Sequence, residues 1–110
     1  MRILLVARWP VGGIRSYIRY VYRCFPSEAH EFTLLAPNGM ELGVLQSDLK
    51  NQLKRVVICR PGGVGMAMDI YSELRVGRYK CVHSHGLTAG LASSLPARLL
   101  SVPHMLTLHD

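Results

Sequence analysis

Three short segments of this 110-residue chain carry side chains that suit chemistry on a small ligand. The Gly12-Gly13 pair lies between an apolar run and a helical pattern. Glycines in such a turn let a ligand approach the backbone, and the free N–H groups of the helix start attract anions. His85 ends a second apolar run, and His109-Asp110 ends a third. A histidine can exchange a proton near neutral pH, and an adjacent carboxylate can orient it or accept a hydrogen bond from a hydroxyl.

Arg15 and His83 each allow two interpretations. Arg15 falls in the first turn of a helical pattern, where the helix dipole disfavours a cation, so it either binds an anionic ligand or extends to solvent. His83 precedes His85 by two residues, so both lie on one side of a strand that continues to His85. We predict that His83 is a hydrogen-bonded core residue and that His85 faces the ligand. No further ligands at suitable spacing accompany them, so no metal site is predicted.

Five apolar runs alternate with helical patterns along the chain. The predicted strands cover residues 3–7, 31–36, 56–59, 79–84 and 104–108. Apolar residues at three-and-four spacing predict helices over 14–25, 42–53, 67–74 and 87–99. This alternation predicts an α/β fold, a three-layer, Rossmann-like, doubly wound parallel sheet of strand order 3-2-1-4-5. Ligands of such sheets bind at the carboxyl ends of the strands, so the three segments are expected to converge on one crevice.

The last predicted helix interleaves its leucines with small residues. Ala89, Gly90, Ala92 and Ser93 give it a small side, which should pack closely on the sheet. Pro96 lies inside the pattern and either kinks the helix or ends its first segment.

The pattern stops where the fifth strand should pass to a further loop and helix. An uncovered last strand would expose a sheet edge and apolar surface. We therefore expect either a domain truncated before its end or a strand that a partner chain covers, such as a second copy in a homodimer.

Composition narrows the class of protein without selecting a ligand. The length allows one domain, 49% of the residues are hydrophobic, and the formal net charge is +6. This charge favours nucleotides, phosphates, nucleic acid or an anionic membrane surface. Few aromatic residues are interleaved with the basic ones, so nucleic acid is not the predicted partner. The basic first helix would permit peripheral contact with a membrane.

The three cysteines indicate a reducing compartment. Cys24, Cys59 and Cys81 have neither metal-ligand nor redox spacing, so we predict buried free thiols. The apolar runs are too short for a signal-peptide core or a membrane span. The predicted location is therefore the cytoplasm.

Taken in order, these segments resemble the amino-terminal domain of the family-four glycosyltransferases of GT-B fold. The likeness begins with the first strand and the Gly12-Gly13 turn, continues through residues 79–86, and closes with residues 102–110. The sequence departs from the family's pattern at two places. Arg15 stands where many members carry glutamate or another polar residue, which leaves the acceptor preference open, and Lys80-Cys81 replaces the more usual aspartate-valine.

The resemblance implies sugar transfer from a nucleotide-sugar donor to an acceptor, with retained anomeric configuration and without an essential metal or other cofactor. It implies that Gly12-Gly13 faces the donor phosphates and the acceptor, and that His109 lies near the reacting sugar. Residues 1–110 would then be a partial amino-terminal domain that mainly holds the acceptor. The carboxyl-terminal donor-binding domain is absent from the sequence, so the isolated chain is expected to be inactive.

Three other functions stay open at this point. The chain can be a standalone α/β binding or regulatory module that a partner chain completes. A basic protein of a nucleic-acid or membrane surface would instead show steep salt dependence of binding. Half of a dehydrogenase is compatible with the fold, but the Gly-x-Gly-x-x-Gly fingerprint is missing.

Overall fold

The chain forms one parallel five-stranded sheet. The computed structural model describes residues 1–8, 16–18, 22, 30–49 and 52–108. The strands are β1 (Arg2–Ala7), β2 (Glu31–Pro37), β3 (Leu53–Cys59), β4 (Cys81–His85) and β5 (His104–Thr107). Their order is β3-β2-β1-β4-β5, and all four pairings are parallel. The predicted α/β class and strand order are thus confirmed.

Helices cover both faces of this sheet. They are α1 (Met40–Asp48), α2 (Gly63–Gly77) and α3 (Leu87–Leu99), and residues 16–18 and Tyr22 are helical as well. Ile18, Tyr22 and the leucines of α1 share a buried cluster with one face of the central strands. The apolar residues of α2 and the small residues of α3 share the cluster on the other face. Burial on both sides explains why the strands read as nearly continuous apolar runs.

The second predicted helix ends earlier than its leucine spacing indicates. Leu42, Leu45 and Leu49 are buried as predicted, but Leu53 is the first residue of β3. The backbone N–H groups of Gln52 and Leu53 both donate to the carbonyl of Leu49, which closes the helix. A leucine four positions after Leu49 is compatible with a longer helix and with the start of a strand. The β-branched residues shortly after Leu53 favour the strand.

The small side of α3 packs on the sheet, as predicted. Ala89, Ser93 and Ala97 are buried, and a Cβ added to Gly90 would lie 2.7 Å from the Leu106 side chain of β5. The helix continues through Pro96 to Leu99. Because small residues occupy the sheet side, the leucines of α3 lie on its outer side and are exposed.

Charged residues fasten α2 to the β3 side of the sheet. The helical pattern predicts Asp69 and Glu73 on the exposed side, but Glu73 is buried. Its carboxylate accepts hydrogen bonds from Arg55 at 2.5 Å and from the Tyr79 hydroxyl at 2.7 Å. These partners compensate for the loss of water around the charge. Asp69 stays near the surface, where hydrogen bonds from Arg60 lower the pKa of its carboxyl.

Both described cysteines are free thiols. Cys59 is buried and Cys81 is half-buried, whereas Cys24 lies outside the described residues. Burial raises the pKa of Cys59 to about 11, and it also raises the pKa of Cys81. Since the thiolate is the nucleophile, both groups are poorly reactive at neutral pH.

The raised pKa of Cys59 makes stability depend on alkaline pH. The folded protein holds the thiol proton more tightly than the unfolded chain, so this stabilisation is complete below pH 9.0 and is lost as the pH rises through about 11. We expect the free energy of unfolding, measured in urea, to fall over this window. The Cys59 thiol should contribute a fall of less than about 1.4 kcal/mol per pH unit, the limit for one proton. The free energy of unfolding of Cys59→Ala should therefore fall less steeply with pH than that of the wild type. Equal slopes in the two proteins would contradict this assignment.

The edge strand β5 exposes apolar side chains. Met105 and Leu106 are both exposed, and Leu108 beyond the strand is exposed as well. The predicted apolar surface at the last strand is therefore present. Self-association through that strand stays a prediction.

Candidate ligand site at the carboxyl edge of the sheet

The carboxyl ends of three strands lie side by side. Ala7 at the end of β1 pairs with His85 of β4, which pairs with Thr107 of β5. The chain segments that follow these strands therefore leave the sheet at the same edge. Gly12, Gly13, Arg15, His109 and Asp110 lie outside the described residues, so their roles stay predictions.

His83 and His85 lie together on one side of β4. The strand continues to His85, so alternation keeps both rings on the same face, with their centroids 4.2 Å apart. His83 is buried and hydrogen-bonded, which confirms it as a core histidine. His85 is the more deeply buried of the two, at 1% exposure against 7%. Its contact with a ligand stays a prediction.

A tyrosine hydroxyl joins the two histidines. The hydroxyl of Tyr22 lies in hydrogen-bonding contact with Nδ1 of His83 and 3.2 Å from Nε2 of His85. The ring of Tyr17 packs beside both imidazoles, with centroids 5.6 Å from His85 and 6.4 Å from His83. Burial raises the pKa of Tyr22 well above its usual value, so its phenol stays protonated at neutral pH. We call these four residues the aromatic–imidazole cluster.

Thr107 connects this cluster to β5. Its hydroxyl oxygen lies 2.7 Å from Nε2 of His83, and its backbone is level with His85. On the other face of β4, the Ser84 hydroxyl lies 2.7 Å from Nε2 of His104, whose pKa burial lowers. Two hydrogen bonds between side chains thus fix β5 against β4, and with it the direction in which the chain leaves β5.

The edge is suited to negative charge. Both α2 and α3 begin here, without a side-chain cap and without an acidic residue in the first turn. Gly86, which precedes α3, has a φ of 93°, a conformation that glycine adopts without strain. Arg8 follows β1, and its charge partly offsets the rise in the pKa of Cys59 at the end of β3. Free helix N-termini and a cation favour an anionic ligand at this edge.

Sequence reasoning did not single out Tyr17, Tyr22 or Thr107. The helical spacing indicates that both tyrosines lie on a buried face but does not name the histidines as their partners. Alternation along the predicted fifth strand assigns Thr107 to a face but does not set its register against β4. The sequence therefore carries no signal for its contact with His83.

Among the described residues, no group of three histidine, cysteine or acidic residues is arranged to hold a metal ion. None of the described helices is long and apolar enough to cross a bilayer.

Known proteins resemble the chain in structure rather than in sequence. No protein-family model and no curated protein matches it. The C-terminal domain of a hydrogenase from Pyrococcus furiosus is similar with a TM-score of 0.73 and 12% identity, over 97% of this chain and 90% of that chain. MurG from Acinetobacter baumannii, a GT-B glycosyltransferase, is similar with a TM-score of 0.66 and 18% identity. That match covers 96% of this chain but 34% of MurG, so this chain spans about a third of its length. At these identities the likeness shows the fold, a Rossmann-like sheet that is compatible with GT-B proteins.

Proposed function

We propose that this chain is the acceptor-side part of a retaining glycosyltransferase that transfers a sugar from a nucleotide-sugar donor. Residues 1–110 would form part of its amino-terminal domain, and a second domain of the parent protein would bind most of the donor. The chain alone would be inactive, since the groups that position the donor would not be present. A cytoplasmic location belongs to the proposal, because Cys59 and Cys81 are unpaired thiols, which persist in a reducing compartment.

The observation that carries this proposal is the shared edge at which β1, β4 and β5 end. Ala7, His85 and Thr107 are in register there. The Gly12-Gly13 and His109-Asp110 segments follow β1 and β5 in the sequence, and these are two of the segments that resemble the glycosyltransferases. The fold likeness to MurG agrees with this interpretation, and the likeness to a hydrogenase domain shows that the fold alone does not decide it.

Each predicted site residue has a role in this proposal. Gly12 and Gly13 would let the donor phosphates and the acceptor approach the backbone, and Arg15 would pair with an anionic group. His109 would lie near the reacting sugar and exchange a proton with a hydroxyl, with Asp110 orienting its ring. His85 would face the acceptor or a phosphate from the end of β4, where its ring is held in the aromatic–imidazole cluster.

The alternative is a binding or regulatory module that a partner chain completes. The exposed apolar residues on β5 favour it, because a partner that paired with this edge strand would cover them. Such a module would bind a nucleoside diphosphate or another anion without turnover.

A donor assay on the protein isolated from its own cells tests the proposal. The protein is incubated with individual UDP-sugars and GDP-sugars, together with a deproteinised extract of the same cells as the acceptor pool. The released nucleoside diphosphate is then measured. We expect release from at least one donor, and only when protein and extract are both present.

A pair of glycine variants makes this assay specific. Gly13→Val is expected to lower the release strongly, because its side chain would block a close ligand. Gly43→Val is the control, since Gly43 is exposed on α1 and a Cβ added there meets no atom within 4 Å. Absence of release from every donor, or release that Gly13→Val leaves unchanged, would overturn the proposal. Nucleoside diphosphate binding without release would support the binding module instead.

A further inference from the structure

Four side chains form one continuous hydrogen-bonded chain at the carboxyl edge of the sheet. The Thr107 hydroxyl oxygen lies 2.7 Å from Nε2 of His83. The other nitrogen of that ring, Nδ1, contacts the Tyr22 hydroxyl, which lies 3.2 Å from Nε2 of His85. We call these four side chains the Thr107–His85 relay. It links a predicted site histidine to β5, the strand that His109-Asp110 follows.

The number of protons on each member restricts the direction of these hydrogen bonds. A neutral imidazole carries one N–H and accepts at its other nitrogen, and a hydroxyl has one proton to donate. Because burial raises the pKa of Tyr22 well above its usual value, its phenol keeps this proton at neutral pH. The Tyr22 hydroxyl can therefore donate to one of the two imidazoles and must accept from the other.

Two arrangements satisfy every contact of the relay when both imidazoles are neutral. In the first, Nε2–H of His85 donates to Tyr22, and the phenol proton is donated to Nδ1 of His83. Nε2–H of His83 then donates to the Thr107 hydroxyl oxygen. In the second, all three hydrogen bonds are reversed. The two rings thus carry their protons on the same nitrogen, Nε2 in the first arrangement and Nδ1 in the second.

The arrangement decides what the remaining nitrogen of His85 can do. In the first arrangement Nδ1 of His85 is bare and accepts a hydrogen bond, as from a ligand hydroxyl. In the second it carries the proton and donates, as to a phosphate oxygen. Neutral histidine itself favours the proton on Nε2. In the first arrangement the Thr107 hydroxyl also donates to solvent, which reaches this half-buried side chain. Both points favour the first arrangement.

We propose that Thr107 and His83 are positioning residues that hold His85 in the Nε2–H tautomer, so that the site offers a hydrogen-bond acceptor to a ligand hydroxyl. Thr107 acts through His83 and Tyr22. That the hydroxyl belongs to the acceptor, rather than His85 facing the donor phosphates, rests on the proposed sugar transfer. The tautomer does not, because the contacts within the relay determine it.

Nitrogen NMR of the isotope-labelled full chain reads the tautomer directly. Spectra are recorded without ligand at about pH 8.5, well above the ordinary histidine pKa of about 6.5, so that the imidazoles are neutral. A ring nitrogen that carries a proton and one that is bare give well-separated signals. We expect both His83 and His85 of the wild type to carry the proton on Nε2.

Thr107→Val removes the acceptor for Nε2–H of His83 and keeps the side-chain shape in a residue that suits a strand. A buried N–H without an acceptor is tolerated less often than an unfilled lone pair, so the proton of His83 should move to Nδ1. Tyr22 then accepts from His83 and donates to Nε2 of His85. The Nδ1 and Nε2 signals should therefore interchange in both rings. Thr107→Ser keeps the hydroxyl and should restore the wild-type spectrum.

Ser84→Ala is the matched control for Thr107→Val. The Ser84 hydroxyl makes the equivalent contact between β4 and β5 on the opposite face of the sheet, 2.7 Å from Nε2 of His104. Its loss should alter the His104 signals and leave the tautomers of His83 and His85 unchanged. In Thr107→Val, the His104 signals should in turn stay as they are in the wild type.

The donor assay described above tests the ligand part of the proposal. Thr107→Val should lower the initial rate of nucleoside diphosphate release about fivefold, the loss that corresponds to one hydrogen bond, and Thr107→Ser should restore the rate. Absence of release by the wild type would overturn the sugar transfer and the assignment of the hydroxyl to its acceptor. The tautomer result would stand, because it is read without ligand.

Three NMR results would overturn the relay. The first is a wild type in which His83 and His85 carry their protons on different nitrogens, or in which both carry them on Nδ1. The second is a Thr107→Val protein in which His83 changes tautomer and His85 does not. The third is the same change of both rings in Thr107→Val and Ser84→Ala, which would assign the effect to a disturbed pairing of β4 and β5.

Discussion

Tyr22→Phe is expected to destabilise the fold by about 2 kcal/mol, because it removes a buried hydroxyl that two histidines share. In the wild type this hydroxyl contacts Nδ1 of His83 and lies 3.2 Å from Nε2 of His85. Phenylalanine keeps the ring and its packing against Phe32, whose centroid is 5.0 Å away. The loss would therefore come from the hydrogen bonds, and urea unfolding at neutral pH measures it.

Tyr71→Phe is the matched control for this substitution. Tyr71 is an exposed residue of α2, so loss of its hydroxyl should change the free energy of unfolding by no more than about 0.5 kcal/mol. A Tyr22→Phe protein as stable as wild type would show that its hydroxyl is dispensable. A spectroscopic consequence is also expected, since the imidazole signals of His83 and His85 should shift in Tyr22→Phe and stay unchanged in Tyr71→Phe.

The fold could be predicted because its signals are local. Short apolar runs that alternate with helical spacing specify a parallel sheet, and handedness then limits the strand order to very few choices. Alternation along β4 also indicated correctly that His83 and His85 share a side. The error at Leu53 arose because a leucine at four-residue spacing fits a helix as well as the strand that it begins.

The composition of the site depends on contacts that sequence spacing does not encode. Tyr22 meets His83 across 61 positions of the chain, and Thr107 meets the same ring across 24. Helical spacing puts Glu73 on the far side of α2 from its apolar residues, and the contacts of its carboxylate with Arg55 and Tyr79, both outside that helix, allow it to be buried instead. The exposure of the leucines of α3 also depends on tertiary contacts. The small residues on the opposite side of this helix pack against the sheet, which leaves the leucines on the outer side.

His109→Ala should have a larger effect, on activity rather than stability. If the proposed transfer operates, loss of a general acid–base group lowers the rate by about 10²–10⁴-fold. We expect a decrease of at least about 100-fold in kcat for nucleoside diphosphate release, with the KM for the donor changed little. The measurement is the initial rate in the donor assay described above, with the protein in the form that its own cells produce.

The control for His109→Ala is another histidine of the same segment. His104 begins β5, where its ring lies 2.7 Å from the Ser84 hydroxyl on the far side of β4 from the aromatic–imidazole cluster. His104→Gln is expected to cost some stability, because that contact changes, but to leave kcat near the wild-type value. A similar loss of kcat in both variants would mean that the effect comes from a disturbed β5. Wild-type turnover in His109→Ala would remove His109 from the mechanism, and the search for a proton-transfer group would move to the other residues at the carboxyl edge of the sheet.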